Sequence, residues 1–133
     1  MKVACDTSVL VPALLPWHEH HAVCRAAARR AHEVPAHVLI ECFSVLTRLP
    51  APHRVSPFDA GQLILGMPFN EVGLPAPEHA GLVRTLAANG IGGGAVYDAL
   101  VGATARHHGL TLQTRDVRAR SVYELVGVRL AMV

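Results

Sequence analysis

Short apolar segments alternate with longer segments of helical pattern along this chain, and this alternation constrains the fold more than any other feature. The apolar segments are predicted strands at residues 2–5, 33–35, 70–74, 110–113 and 126–130, of which 33–35 is equally typical of a turn. Strands separated by helices favour a parallel sheet covered on both faces. The sequence therefore predicts an α/β fold with a central parallel sheet.

Capping residues, prolines and glycines mark the ends of the predicted helices. One helix follows the capping residues 6–8 and runs to residue 15, and the others are predicted at 17–31, 37–49, 57–66, 77–89, 95–108 and 117–124. Asp, Thr and Ser at 6–8 are favourable N-cap residues, and Pro57 suits the first position of a helix. Pro16 and Gly109 each stop a helix that precedes them.

Size and composition exclude several classes of protein. A chain of 133 residues corresponds to one domain, predicted to span residues 1–133. With 51% hydrophobic and 17% charged residues the chain is not expected to be disordered. Three cysteines without close spacing argue against a disulfide framework and against a zinc knuckle. The net charge of +2 gives little information about nucleic-acid binding.

No segment is typical of a secretory signal or a membrane helix. The apolar run near the N-terminus is interrupted by Asp6 and broken by Pro12 and Pro16. The longest apolar runs are far shorter than the ~20 residues that cross a bilayer. We therefore expect a soluble, cytoplasmic protein that does not bind membranes.

Two carboxylates follow predicted strands. Asp6 comes directly after the first strand, and Asp116 comes shortly after the fourth. In open parallel sheets, functional groups collect at the carboxyl ends of the strands. Each aspartate has an alternative role as the cap of the helix that follows it.

Two further carboxylates lie on predicted helices among apolar neighbours. Glu41 lies within VLIECFSVL, where an unpaired buried carboxylate is costly and needs a partner. That partner is either a cation or Arg48, which lies two turns further on. Asp98 lies within AVYDALVGATA, where the alternative is a favourable contact with the helix dipole.

The four carboxylates together indicate a specific chemistry. If Asp6, Glu41, Asp98 and Asp116 converge, their repulsion needs compensation, and divalent cations with oxygen ligands provide it. A carboxylate cluster that holds Mg²⁺ or Mn²⁺ is suited to hydrolysing phosphodiesters. The chain is thus predicted to hold a metal at these residues.

The same residues lie in stretches that resemble the PIN-domain ribonucleases, and among them the VapC-type toxins of bacterial toxin–antitoxin pairs. The stretches are KVACDTSVLVPALL, PAHVLIECFSVLTRL, YDALVGATARHHGLTLQTRD and VRLAMV, in the order and spacing of that family. The resemblance implies a three-layer α/β/α fold and an endoribonuclease that depends on Mg²⁺ or Mn²⁺. It also implies an RNA substrate, inhibition by a cognate antitoxin protein, and a homodimer.

The resemblance also assigns roles to single residues. Asp6, Glu41, Asp98 and Asp116 resemble the four acids of the family in order, and Thr114 resembles the hydroxyl residue two positions before the last acid. Many relatives carry a further polar or acidic residue in the helix after the third acid. Here residues 99–103 are Ala-Leu-Val-Gly-Ala, which suggests a weaker second metal site.

Basic residues flank the last acid. Arg115, Arg118 and Arg120 form a local patch beside Asp116, with Arg115 and Arg118 as candidate accessory residues. RNA bound near an acidic cluster needs such a patch because phosphates are repelled by carboxylates. The alternative is a solvated helix face. The nine histidines show no metal-binding spacing with adjacent acids, so a zinc site is not expected.

Three other functions compete with an endoribonuclease toxin. One is a housekeeping PIN-domain nuclease that processes RNA. Another is a phosphoacceptor domain with Asp6 as the nucleophile. The haloacid-dehalogenase type of this domain needs a second aspartate two positions later, and the residue there is Ser8, which argues against this alternative. The third is a non-catalytic module whose carboxylates hold a structural cation. Loss of RNA cleavage on chelation separates the toxin from this last alternative.

Overall fold

Five short strands make up a three-stranded and a two-stranded parallel sheet in this protein, for which a computed structural model describes residues 1–133. They are β1 (Val3–Cys5), β2 (Glu33–Pro35), β3 (Asn70–Val72), β4 (Thr111–Thr114) and β5 (Leu130–Met132). Strand β4 pairs with β1 on one side and β5 on the other, and β2 pairs with β3. All of these pairs are parallel, and β2 lies beside β1. The predicted central parallel sheet is confirmed.

Seven helices surround the sheet. They are α1 (Thr7–Leu14), α2 (His21–Arg29), α3 (Ala36–Thr47), α4 (Pro57–Leu65), α5 (Glu78–Ala88), α6 (Ala95–His107) and α7 (Arg120–Val126). Helix α1 packs on α2 and α3, and α6 packs on α5 and α7. The sheet between these helices gives the expected three-layer α/β/α architecture. No helix has both the length and the hydropathy that crossing a membrane requires.

The register between β1 and β4 determines which side chains meet at the sheet edge. Cys5 lies opposite Gln113, so the next residues, Asp6 and Thr114, lie side by side at the sheet edge. The backbone N–H of Asp6 donates to the Gln113 carbonyl at 3.1 Å, which extends the pairing by one step. An acid that follows β1 and a hydroxyl at the end of β4 are thereby placed in contact.

The core is built from small and branched apolar side chains. Val9 and Leu10 of α1, Leu112 of β4 and Val101 of α6 are among its fully buried members. Because α1 buries its valines and leucines in this way, its apolar composition serves the core. The three cysteines are buried and unpaired, as their sequence spacing predicted.

Several predicted elements have different bounds in the structure. Helix α2 begins at His21 instead of residue 17, since the chain turns after Pro16 with the N–H of His18 bonded to the Leu15 carbonyl. The last strand was predicted at 126–130 and lies at Leu130–Met132. Helix α7 continues through Val126 and ends at Gly127, whose φ of 79° is favourable only for glycine.

Candidate active site

A buried carboxylate lies where β1 passes into α1. Asp6 is only 4% exposed and caps α1. Its Oδ1 accepts hydrogen bonds from the backbone N–H of Ser8 at 3.0 Å and the Ser8 hydroxyl at 2.5 Å. Its Oδ2 accepts from the Thr114 hydroxyl at 2.5 Å and the Tyr123 hydroxyl at 2.8 Å. Burial raises the pKa of Asp6, while these four hydrogen bonds favour its ionised form.

Thr114 links Asp6 to Asp116. Its hydroxyl donates to Asp6 and accepts from the backbone N–H of Asp116 at 3.0 Å. One carboxylate oxygen of Asp116 accepts from the N–H groups of Arg118 and Ala119, which begin the turn before α7. The capping role considered for Asp6 therefore exists, whereas Asp116 bonds the turn before α7 and does not cap that helix. Both carboxylates also belong to one connected network.

All four predicted carboxylates line a single cavity of about 430 Å³. Asp6 and Asp116 come from the strand ends, Glu41 from the middle of α3 and Asp98 from the first turn of α6. Hydroxyl and basic side chains complete the polar part of the wall: Thr7, Ser8, Tyr123, Arg48 and Arg118. The fold thus brings together acids that are up to 110 residues apart (116 − 6) in the sequence.

The carboxylates influence each other's ionisation. Burial, together with the charges of Asp116, Glu41 and Asp6, raises the pKa of Asp98 to about 6. Burial also raises the pKa of Glu41, and the charge of Asp6 adds to that effect. Repulsion of this kind favours a bound cation, because a cation stabilises every ionised carboxylate around it.

The donor set fits Mg²⁺ or Mn²⁺ in its chemistry. All four acids offer carboxylate oxygens, which hard divalent cations prefer. No group of three or more His, Cys, Asp or Glu side chains lies close enough to hold a metal ion by itself. Mg²⁺ does not need such a cage, because it keeps several waters and takes one or two carboxylates together with substrate phosphates.

Glu41 contacts a histidine and not the arginine considered as its partner. Its Oε1 lies 3.5 Å from Nε2 of His37, one helical turn earlier. Arg48 is exposed and lines the same cavity, where its charge lowers the pKa of Glu41 without forming an ion pair. The core ion pair between Glu41 and Arg48 is therefore absent.

The two predicted accessory arginines have different positions. Arg118 lies on the cavity wall and its charge lowers the pKa of Asp98. The guanidinium of Arg115 donates to the backbone carbonyl of Val133 at 2.9 Å, and its backbone N–H donates to the Ser8 hydroxyl. Arg115 thus ties the chain end and Ser8 to the site, while Arg118 faces the space beside the acids.

The sequence did not indicate Ser8 or Tyr123 as members of the site. The sequence indicates Ser8 as a capping residue and as a residue that differs from the second aspartate of the haloacid-dehalogenase type, although its position two residues after Asp6 also allows a side-chain hydrogen bond to the carboxylate. Tyr123 lies on α7 and reaches Asp6 only through the packing of the folded chain. No local pattern around residue 123 predicts that contact.

Comparison with known proteins gives a consistent set of relatives. A sequence model of the PIN domain matches residues 3–125. The chain is 44% identical over 133 residues to Ribonuclease VapC40 of Mycobacterium tuberculosis, covering 98% of both chains. It is 42% identical over 131 residues to Ribonuclease VapC27 of the same organism, covering 98% and 96%. The crystal structure of VapBC2 from Rickettsia felis, bound to a DNA fragment from their promoter, has a similar fold with a TM-score of 0.68, 15% identity, and coverage of 100% and 99%.

Proposed function

This chain belongs to the PIN-domain family, with VapC-type ribonucleases as relatives along nearly its whole length, and we propose that it is a metal-dependent endoribonuclease that acts as the toxin of a type II toxin–antitoxin pair. One observation carries the proposal. Asp6, Glu41, Asp98 and Asp116 line one cavity, and the charges of the other three acids raise the pKa of Asp98. Such a site suits the binding of divalent cations and the hydrolysis of phosphodiesters.

The proposed ligands of Mg²⁺ or Mn²⁺ come from these four carboxylates, one or two of them bound directly and the others through the waters of the cation. A bound divalent cation would activate water and stabilise the negative charge that develops on the leaving oxygen. Asp6 is held in one orientation by Ser8, Thr114 and Tyr123, which prepares its oxygens for such a role. Asp98, with a pKa of about 6, is mostly ionised at neutral pH and available as a ligand.

The basic residues of the wall are proposed to bind the RNA backbone. Arg118 and Arg48 line the cavity from two different elements. Arg118 lies in the turn before α7, and Arg48 lies at the end of α3. Guanidinium groups bind phosphates in a bidentate manner and offset the repulsion between an acidic site and a polyanion. Binding of the phosphate backbone by these arginines fits the proposed substrate, which is RNA in the cytoplasm.

The enzymatic part of the proposal can be tested with purified protein and total cellular RNA. We expect cleavage at a small number of sites in the presence of Mg²⁺ or Mn²⁺, mapped by sequencing the new RNA ends. The Asp98→Asn variant, purified in the same way, serves as the control for contaminating nuclease and should give no cleavage. Equal cleavage by both proteins, or none by the wild type, would contradict the proposal.

The toxin part of the proposal needs a separate experiment. The resemblance to VapC-type toxins implies a small antitoxin encoded beside this protein, and it implies a homodimer. Expression of the chain alone is expected to stop cell growth, and co-expression with the product of the adjoining small gene should restore it through a stable complex. Normal growth, together with no complex, would favour the alternative of a housekeeping PIN nuclease, provided that RNA cleavage is retained.

A further inference from the structure

Two aromatic rings form a parallel pair beside the carboxylates. Tyr97 directly precedes Asp98 on α6, and His37 lies one turn before Glu41 on α3. The centroids of the tyrosine and histidine rings are 5.1 Å apart and their planes differ by 5°. His37 Nε2 also lies 3.5 Å from Oε1 of Glu41, so the pair is in direct contact with a residue of the proposed site.

Tyr97 presents a large part of its ring to solvent. The residue is 53% exposed although it belongs to a helix whose next residues enter the core. None of the side-chain hydrogen bonds of the structure involves its hydroxyl. The stack on His37 limits the movement of the ring, so that a flat apolar surface stands at a defined place beside Asp98 and Glu41.

From this geometry we propose that Tyr97, supported by His37, is a stacking platform for an unpaired nucleobase of the RNA next to the cleaved phosphodiester. The inference rests on the proposed nuclease function and adds a subsite to it. A base within a duplex is already covered on both faces by its neighbours, so a platform of this kind selects a single-stranded segment. Stacking on an aromatic side chain is tolerant of base identity, because every base has a flat π-face.

The contribution expected from this stack is measurable. Stacking of one base on an aromatic side chain is worth about 1–3 kcal/mol, which corresponds to a change of about 5-fold to 150-fold in affinity. Because the platform contacts a base and not the reacting phosphate, the contribution is expected in KM more than in kcat. His37 acts here as a positioning residue through its contact with the Tyr97 ring.

A short RNA containing a mapped cleavage site allows the test. We compare wild type, Tyr97→Leu and the conservative variant Tyr97→Phe on the intact RNA and on RNAs with a single abasic nucleotide at each position flanking the cleaved bond. Phe58→Leu is the matched control, because Phe58 is an exposed aromatic residue on α4, a helix that contributes no residue to the cavity, whereas the helix of Tyr97 contributes Asp98.

We expect Tyr97→Leu to raise KM about tenfold, with kcat changed less than about twofold, and Tyr97→Phe to recover the low KM because it keeps the ring. One abasic position should raise KM of the wild type by a similar factor and have no further effect on Tyr97→Leu. An unchanged KM for Tyr97→Leu overturns the inference about Tyr97. Cleavage by the wild type in the same experiment still supports the proposed nuclease function. The inference is also overturned if light scattering shows that Tyr97→Leu is a monomer where the wild type is a dimer, and KM is unchanged. That result would assign the Tyr97 ring to a protein interface. No cleavage by the wild type refutes the proposed function itself.

Discussion

The hydroxyl of Tyr123 donates a 2.8 Å hydrogen bond to Oδ2 of Asp6, which joins the middle of α7 to the end of β1. Both side chains are buried. Because α7 is one of the last elements of the chain and β1 is the first, this contact forms only when the two ends of the chain pack together. The orientation of the first acid of the site therefore depends on the packing of the last helix.

Replacing Tyr123 with phenylalanine tests this contact. Tyr123→Phe leaves a buried carboxylate with one donor fewer, so the free energy of unfolding should fall by about 1–3 kcal/mol. The pKa of Asp6 should rise further, which moves the acid limb of the pH–activity profile to higher pH. Urea unfolding and a pH–rate profile measure the two effects. Tyr97→Phe removes an exposed hydroxyl and should leave stability within about 0.5 kcal/mol of wild type; an equal loss in both variants would argue against the contact.

RNA cleavage is expected to require a divalent cation. Chelation should abolish activity, because four carboxylates around one cavity repel phosphate when no cation is bound. Addition of Mg²⁺ or Mn²⁺ in excess of the chelator should restore the rate. Circular dichroism of the chelated protein serves as the control that the fold persists. Full activity in chelator would rule out metal dependence.

The Glu41→Gln variant tests whether the carboxylate of Glu41 has a functional or a structural role. Since Glu41 forms no ion pair with Arg48 and burial raises its pKa, the neutral variant should be as stable as wild type while losing most activity. Thermal unfolding of metal-free protein and RNA cleavage measure the two properties. The control is Glu124→Gln, which removes an exposed ion pair with Arg120 and should change stability by less than about 1 kcal/mol. A loss of about 3–5 kcal/mol for Glu41→Gln would instead indicate a buried ion pair.

The pKa of Asp98 predicts how the stability of metal-free protein depends on pH. Folding raises this pKa from 3.8 to about 6, so between these values the folded state holds a proton that the unfolded state has lost. The free energy of unfolding should therefore decrease as the pH rises through this window. Solvent screening of this partly buried carboxylate limits the effect to about 1 kcal/mol.

Asp98→Asn removes that dependence. At pH 7 the variant should be about 1 kcal/mol more stable than wild type, and near pH 4 the difference should vanish. Chemical denaturation at a series of pH values provides the measurement. Asp59→Asn is a control of opposite sign, because Asp59 is exposed in the first turn of α4, where a negative charge stabilises the helix. A pH-independent difference for Asp98→Asn would contradict the assigned cause.

Sequence reasoning found the acids and the parallel sheet because their signals are local. Asp6 follows an apolar strand directly, and Glu41 is a carboxylate among apolar neighbours, so both are visible in a window of a few residues. The end of α7 was predicted too early, since the helix continues to Val126 and the left-handed Gly127 alone ends it. The contact of Tyr123 with Asp6 spans 117 residues and depends on the sheet register, which no local pattern contains. The catalytic role of the four acids stays a prediction for the cleavage assays above.

Gly102 controls how closely α7 approaches the site. A Cβ added to Gly102 would lie 2.8 Å from Cγ2 of Val126 and 3.0 Å from Cδ1 of Tyr123, so a methyl group there has to displace the ring that holds Asp6. We expect Gly102→Ala to lower the free energy of unfolding by about 1–3 kcal/mol and to reduce RNA cleavage by the displacement of Tyr123. Gly81→Ala is the control, because nothing lies within 4 Å of its added Cβ on α5, and the same change should stabilise that helix by about 0.5–1 kcal/mol. Equal stability of the two variants would show that the contact between α6 and α7 tolerates a methyl group, and that the position of Tyr123 does not depend on Gly102.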